Sequence, residues 1–120
     1  MIFTILSNLS GLSKLVRRYK TNQMPDNLSF TRQTIRIGVV KYRKCVTFRA
    51  FESGLFLEIK VPLWKTRKIL IPWKDLKHTG YTKIYWESAA SLMVGEDHIA
   101  TIAIPIQLFY LMKPFLASFQ

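Results

Sequence analysis

The stretch CVTFRAFESGLFLEIKV, residues 45 to 61, decides the fold class, because its apolar residues recur at every second position. Leu55, Leu57 and Ile59 face the same side of an extended chain, since successive side chains of a strand point in opposite directions. The letters ESG have the composition of a hairpin turn, and Gly54 can adopt the positive φ that such turns require. The stretch therefore predicts two antiparallel strands joined by a tight turn.

The same alternation continues on both sides of that hairpin. TIRIGVV, residues 34 to 40, and ILI, residues 69 to 71, predict strands before and after it. Further on, YTKIYWES and AASLMV predict two strands that meet at Ser88 and Ala89, and GEDH, residues 95 to 98, predicts a turn before IATIAI. Strands joined by such short turns are antiparallel neighbours, because a parallel pair needs a long crossover. We therefore predict a mainly β (α+β) fold, a twisted antiparallel sheet or barrel of about six or seven strands.

A helix is predicted at each end of the sheet. The last segment begins with Pro105, which suits the first turn of a helix, and its apolar face extends to Tyr110. A second proline, Pro114, limits or kinks that helix. Near the N-terminus the apolar residues of LSKLVRRYK recur at the spacing of one helical face, which is formed by Leu12, Leu15, Val16 and Tyr19.

Length and composition predict one globular unit. The chain has 120 residues, 49% of them hydrophobic, which is enough for a core. We expect residues 1–27 to carry the N-terminal helix and a connection, and residues 28–120 to form the antiparallel β domain with its C-terminal helix. A single cysteine, Cys45, favours a reducing compartment and hence a cytoplasmic protein. The longest uncharged run near the C-terminus, residues 99–112, is shorter than the roughly 18 residues of a membrane-spanning helix.

The charge balance points to an anionic partner. The chain has 18 Lys and Arg against 7 Asp and Glu, a formal net charge of +11. Such a field attracts anionic membrane surfaces, acidic proteins and nucleic acids alike, and it also serves solubility alone. If the connections that carry two of the basic clusters lie at one end of the sheet, they form a cationic rim. The candidate binding residues are Lys41, Arg43, Lys44, Lys65, Arg67 and Lys68, with Tyr42, Trp64 and Trp73 as an aromatic rim.

The stretch KILIPWKDL, residues 68 to 76, predicts how one strand ends. Pro72 lacks a backbone donor, so the strand stops there or lies at an edge. Trp73 can then cover the mouth of the core while its indole N–H finds a partner. Together with GLSKLVRRY, KYRKCVTF and ESGLFLEIKVPLW, this stretch resembles a family of small uncharacterised bacterial proteins with GL.L and IPW..I strand motifs, over residues 11–76. In that family a tryptophan stands where this chain has Gly11 or Leu12.

The order of several antiparallel strands and one C-terminal helix is similar to pleckstrin-homology-like and GRAM-like modules. That analogy implies a binding module rather than an enzyme. The residues themselves show no catalytic signature, no cofactor motif and no small-molecule substrate site. Metal binding is not expected, although His98 follows Glu96 and Asp97 in a predicted turn. We therefore predict a non-enzymatic module for an anionic membrane surface or an acidic protein; the alternatives are a nucleic-acid-binding protein and, third, an enzyme.

Overall fold

Seven antiparallel strands form one sheet, curled into a half-barrel with a short helix at each end, in the computed structural model of this protein. The structure describes residues 12–24, 29–38, 40–60, 66–95 and 99–117. The predicted mainly β class and strand number are confirmed for these ranges. The elements are α1 (Leu12–Tyr19), β1 (Phe30–Ile37), β2 (Val40–Phe51), β3 (Gly54–Ile59), β4 (Arg67–Ile71), a 3₁₀ turn (Trp73–Asp75), β5 (Leu76–Ile84), β6 (Glu87–Val94), β7 (Ala100–Pro105) and α2 (Ile106–Ala117).

The strands lie in the order β4-β3-β2-β1-β7-β6-β5, so β4 and β5 are the two edges. The 12-residue strand β2 pairs with β1 between Val40 and Phe48 and with β3 between Val46 and Phe51. The two halves of the sheet are therefore offset along β2, which is the stagger that a curled sheet needs. β1 and β7 join the halves through the pairs of Arg36 with Ala103 and of Ile37 with Ile102.

The predicted hairpin of residues 45–61 is confirmed within the described ranges. Phe51 pairs with Gly54, so Glu52 and Ser53 form the turn, and Leu55, Leu57 and Ile59 are fully buried. Gly54 has φ +152°, and a Cβ there would clash with the carbonyl oxygen of Ile71 on β4. Glycine is needed at this position because of both the backbone conformation and the close approach of the neighbouring chain.

Three predicted connections are wrong. Residues 41 to 44 belong to β2, and Arg67 and Lys68 belong to β4, whereas the sequence placed both sets between strands. The turn between β5 and β6 is formed by Tyr85 and Trp86, while Ser88 and Ala89 lie inside β6. The composition was misleading because Tyr85 takes φ 58°, a conformation that bulky residues rarely adopt.

The core lies between the sheet and the two helices. α1 buries Leu12, Leu15 and Tyr19, as its spacing predicts. None of the helices in the described part of the chain combines the length and apolar character needed to cross a membrane.

The prediction that the apolar face of α2 extends to Tyr110 is wrong, although Ile106 and Phe109, which the same spacing assigned to that face, do pack into the core. Tyr110 is exposed and Pro114 lies inside the helix without ending it. A proline inside a helix removes one intrahelical donor and crowds the carbonyl four residues earlier, so the packing of α2 on the sheet has to outweigh that cost. The residues that α2 buries are Leu108, Phe109, Met112 and Leu116.

Trp73 covers the core as predicted. Its side chain is 2% exposed, and Nε1 donates a hydrogen bond to the carbonyl oxygen of Phe51 at 2.7 Å. The indole stacks on the ring of Phe115 from α2, with centroids 5.4 Å apart and planes at 6°. The strand end at Pro72 is therefore sealed by an aromatic pair that fastens α2 to the sheet.

Candidate functional site

The first half of β2 presents three exposed cations, Lys41, Arg43 and Lys44. A regular strand would turn the adjacent Arg43 and Lys44 to opposite sides. The pairing with β1 is irregular here: Ile35 pairs with Tyr42, but Gln33 pairs with Val46. Lys44 has φ 53°, and its backbone N–H donates to Oγ1 of Thr34 at 3.1 Å. This β-bulge lets both side chains reach the same surface.

The turn Tyr85–Trp86, called the β5–β6 tip below, lies beside these cations. The pair of Ile84 with Glu87 closes the hairpin, so only two residues form the turn. Trp86 is 85% exposed and Tyr85 is 46% exposed. Large aromatic side chains are costly to leave in water, so a tryptophan at a hairpin turn suggests an interaction surface.

Cation–π contacts connect the tip to β2. Nζ of Lys41 lies 4.7 Å from the centroid of the Tyr85 ring, and Cζ of Arg43 lies 5.9 Å from it. These distances are within the range in which a cation is attracted to a ring face. Within the described part of the chain, Lys41, Arg43 and Lys44 form no ion pair with a carboxylate. Among the described residues, no carboxylate therefore lies within ion-pair distance of these three cations.

A cavity of about 380 Å³, called the tip cavity below, lies between the bulge of β2 and the β5–β6 tip. Its lining includes the basic residues Arg43 and Lys44 and the acidic Glu87. Its apolar lining comes from the last residue of β5, from the tip and from the last residue of β7. The lining residues are Thr34, Arg43, Lys44, Ile84, Tyr85, Trp86, Glu87, Ser88 and Pro105.

A second, open groove also reaches Ser88 and includes Tyr81, Lys83 and Tyr110. Tyr81 is packed edge-on against Phe109, and Tyr110 is covered in part by Lys113, whose Nζ lies 5.8 Å from the ring centroid. Much of the exposed aromatic surface among the described residues is thus near this hairpin. The large exposed apolar side chains on or near it are Tyr81, Tyr85, Trp86 and Tyr110.

The described part of the second predicted cluster, Arg67 and Lys68, lies on β4, which β3 separates from β2. Ile59 pairs with both Val46 and Arg67, so Arg67 is level with a residue two positions beyond Lys44. Two strand spacings separate β2 from β4, about 10 Å. Arg67 lines a small cavity with residues that follow α1, and Nζ of Lys68 donates to Sδ of Met24 at 3.0 Å. Arg67 and Lys68 are half-buried, so they expose less positive charge to solvent than Lys41, Arg43 and Lys44 do.

The predicted aromatic rim differs from the surface that the structure has. Tyr42 is 5% exposed and belongs to the core, because its pairing with Ile35 turns it towards the buried face. Trp73 is buried for the reason given above, and Trp64 and Lys65 lie outside the described residues. The exposed aromatics near the cations are instead Tyr85 and Trp86. The sequence signal for them is KIYW, where two further apolar residues follow Ile84 and break the alternation of β5.

Groups that could do acid–base or metal chemistry are dispersed. Glu58 is buried in β3, with Oε1 at 3.4 Å from Nζ of Lys60, an ion-pair distance without hydrogen-bond geometry. Burial raises the pKa of the Cys45 thiol, which disfavours the reactive thiolate. In the ranges that the structure describes, no three His, Cys, Asp or Glu side chains come together at a metal-binding distance. The Glu96–Asp97–His98 triplet lies outside them.

No protein-family model matches the chain, and no curated protein or solved structure shows significant similarity to it. The bacterial family and the pleckstrin-homology-like fold therefore stay predictions from the sequence.

Proposed function

We propose that this protein is a non-enzymatic binding module that associates with anionic membrane surfaces through the β5–β6 tip. The observation that carries the proposal is the position of Trp86. Its side chain is 85% exposed on a two-residue turn, and Trp86 lines the tip cavity with Arg43 and Lys44, while Lys41 contacts the adjacent Tyr85. An exposed tryptophan close to cations that pair with no described carboxylate has the chemistry of an interfacial anchor.

The physical reasons come from the membrane interface itself. Tryptophan and tyrosine are enriched where hydrocarbon meets headgroups, because one part of the ring is apolar and another can hydrogen-bond. Each Lys or Arg close to an anionic surface adds about 1 kcal/mol of attraction. Tyr81 and Tyr110 extend the aromatic surface beside the tip, and Lys83 and Lys113 extend its charge. This combination of rings and cations supports a lipid surface over an acidic protein.

The test is co-sedimentation with vesicles of phosphatidylcholine alone and of phosphatidylcholine mixed with phosphatidylglycerol, at about 0.15 M salt, where long-range charge effects are screened. We expect pelleting only with the anionic vesicles. Trp86→Ala should lower vesicle affinity about ten-fold, because burial of a large aromatic side chain is lost. Met24→Ala is the matched control, since Met24 is also strongly exposed but lies near β4, at the other edge of the sheet. It should bind like the wild type.

Nucleic acid is the alternative partner, since the same exposed rings and cations suit base stacking and phosphate contacts. Excess duplex and single-stranded DNA are therefore added as competitors in the vesicle experiment. Pelleting that survives the competitors supports the membrane proposal. Pelleting that nucleic acid abolishes, or equal loss of affinity in Trp86→Ala and Met24→Ala, contradicts it.

A further inference from the structure

We propose that the tip cavity binds a phosphorylated polyol, with its phosphate at Arg43 and Lys44 and a hydroxyl group at Glu87. The inference deepens the proposed function and rests on it for one source of the ligand, the headgroup of an anionic lipid. A soluble sugar phosphate carries the same chemistry and is the other source. The cavity volume of about 380 Å³ is at the small end of the range for ligand sites and exceeds what a bare phosphate ion needs.

The phosphate position follows from the bulge in β2. Because the bulge brings consecutive residues to one surface, Arg43 and Lys44 both line the cavity. Arginine offers several donors in a planar fork that matches phosphate oxygens, and lysine adds a compact charge. The ring of Tyr85 lies 5.9 Å from Cζ of Arg43, and the backbone of Lys44 is held by Thr34. The ring of Tyr85 thus lies beside the guanidinium of Arg43, and Thr34 fixes the backbone from which the Lys44 side chain extends.

The polyol part follows from the other residues that line the cavity. Glu87 would repel a bare anion, yet a carboxylate accepts hydrogen bonds from hydroxyl groups. Ser88 adds a hydroxyl that can donate or accept, and Ile84, Trp86 and Pro105 offer apolar surface to a carbon skeleton. A cavity whose lining includes two cations and a carboxylate favours a ligand that has both a phosphate and hydroxyl groups.

The test uses the full chain, labelled with ¹⁵N and titrated separately with glycerol 3-phosphate, inorganic phosphate and glycerol while amide shifts are recorded. We expect glycerol 3-phosphate to bind at least about ten-fold more tightly than inorganic phosphate or glycerol. Only glycerol 3-phosphate can contact both the cations and the carboxylate of Glu87. The largest shifts should occur at Arg43, Lys44 and Glu87–Ser88. Equal affinity for glycerol 3-phosphate and inorganic phosphate, or shifts elsewhere only, overturns the inference.

Two variants distinguish the contact with the phosphate from the contact with the hydroxyl group. Arg43→Gln should weaken glycerol 3-phosphate and inorganic phosphate alike, by about ten-fold. Glu87→Gln should weaken glycerol 3-phosphate but leave inorganic phosphate unchanged or bound more tightly, because the repulsive charge is gone. Lys74→Gln is the control for loss of a positive charge, since Lys74 is exposed on the 3₁₀ turn. Unchanged amide dispersion shows that each variant is folded. A Glu87→Gln variant that tightens both phosphate ligands overturns the inference.

The sources of the ligand are separated by the vesicle experiment, in which the same Arg43→Gln variant is compared with the wild type. Glycerol 3-phosphate binding together with vesicle binding that free glycerol 3-phosphate reduces supports a lipid headgroup. Glycerol 3-phosphate binding without any vesicle binding supports a soluble phosphate ester and contradicts only the membrane proposal. Vesicle binding without glycerol 3-phosphate binding overturns the cavity inference and leaves the membrane proposal standing.

Discussion

The hydroxyl of Tyr19 fastens α1 to the rest of the molecule. It donates a hydrogen bond to Oδ2 of Asp75 in the 3₁₀ turn at 2.9 Å, across 56 residues of chain. Burial of the phenol, together with the hydrogen bond to Asp75 and the charge of that carboxylate, raises the pKa of Tyr19 to about 12. The protonated phenol is therefore part of the folded state.

Replacing this phenol gives a pH-dependent prediction. An unfolded tyrosine loses its proton near pH 10, whereas folded Tyr19 keeps it until about pH 12. Its stabilising contribution should be complete below pH 10 and should disappear as the pH rises from 10 to 12. We expect Tyr19→Phe to lower the free energy of unfolding by about 1–2 kcal/mol at pH 8. Urea unfolding of both proteins between pH 8 and 12 measures the difference, and a difference that stays constant over that range contradicts the prediction.

Gly54 is constrained by its neighbour as well as by its turn. Its φ of +152° is unfavourable for other residues, and a side chain there would meet the backbone of Ile71. Gly54→Ala should therefore lower the free energy of unfolding by about 1–3 kcal/mol, which is the cost of a strained backbone position. Ser53→Ala, one position earlier at an exposed site, should change it by less than about 0.5 kcal/mol. Urea denaturation compares the two, and similar stabilities would show that the sheet accommodates a side chain at 54.

The helix α2 is held by one face, and adjacent residues on it can be compared directly. Met112 is fully buried against the sheet, whereas Leu111 is 45% exposed. Met112→Ala should lower the free energy of unfolding by about 2–5 kcal/mol because it leaves a cavity in the core. Leu111→Ala should cost less than about 1 kcal/mol, since part of its surface is already in water. Thermal unfolding of the two variants measures the difference, and equal costs would mean that α2 is rotated.

The molecule has a formal net charge of +11, and the positions of the cations decide which of them can contact an anionic surface. Lys41 and Arg43 lie at the β5–β6 tip, while Lys74 and Lys77 lie near the start of β5. Ile84 is seven residues along β5 from Lys77, roughly 20 Å at the rise of a strand. The two pairs can therefore be neutralised separately with the same change in net charge.

Neutralising the pairs tests whether net charge alone drives vesicle association. Lys41→Gln with Arg43→Gln should weaken binding to anionic vesicles about 30-fold, from about 1 kcal/mol for each cation near the surface. Lys74→Gln with Lys77→Gln should change it only a few-fold, because these cations act at a distance and are screened. Co-sedimentation at about 0.15 M salt measures both. Equal losses would show that the attraction comes from the total charge and not from the tip.

Local patterns identified most of the elements. Alternation is a property of neighbouring residues, so Leu55, Leu57 and Ile59 predicted β3 correctly, and the helical spacing of Leu12 and Leu15 predicted α1. The turn at Tyr85 and Trp86 could not be read in this way, since both residue types favour strands. That hairpin is set by the pairing of the whole of β5 with β6, including the irregularity between His78 and Gly80.

The sequence by itself determined the mainly β class, the two terminal helices and the excess of positive charge, because each depends on composition or on spacing along the chain. Only the tertiary structure decided which aromatics accompany the cations. Tyr42 and Trp73 became core residues through their strand partners and α2, while Trp86 stayed in water. The bulge that brings Arg43 and Lys44 to one surface also depends on pairing with β1. A surface of this kind joins residues some 40 positions apart, and such contacts arise only when the sheet curls.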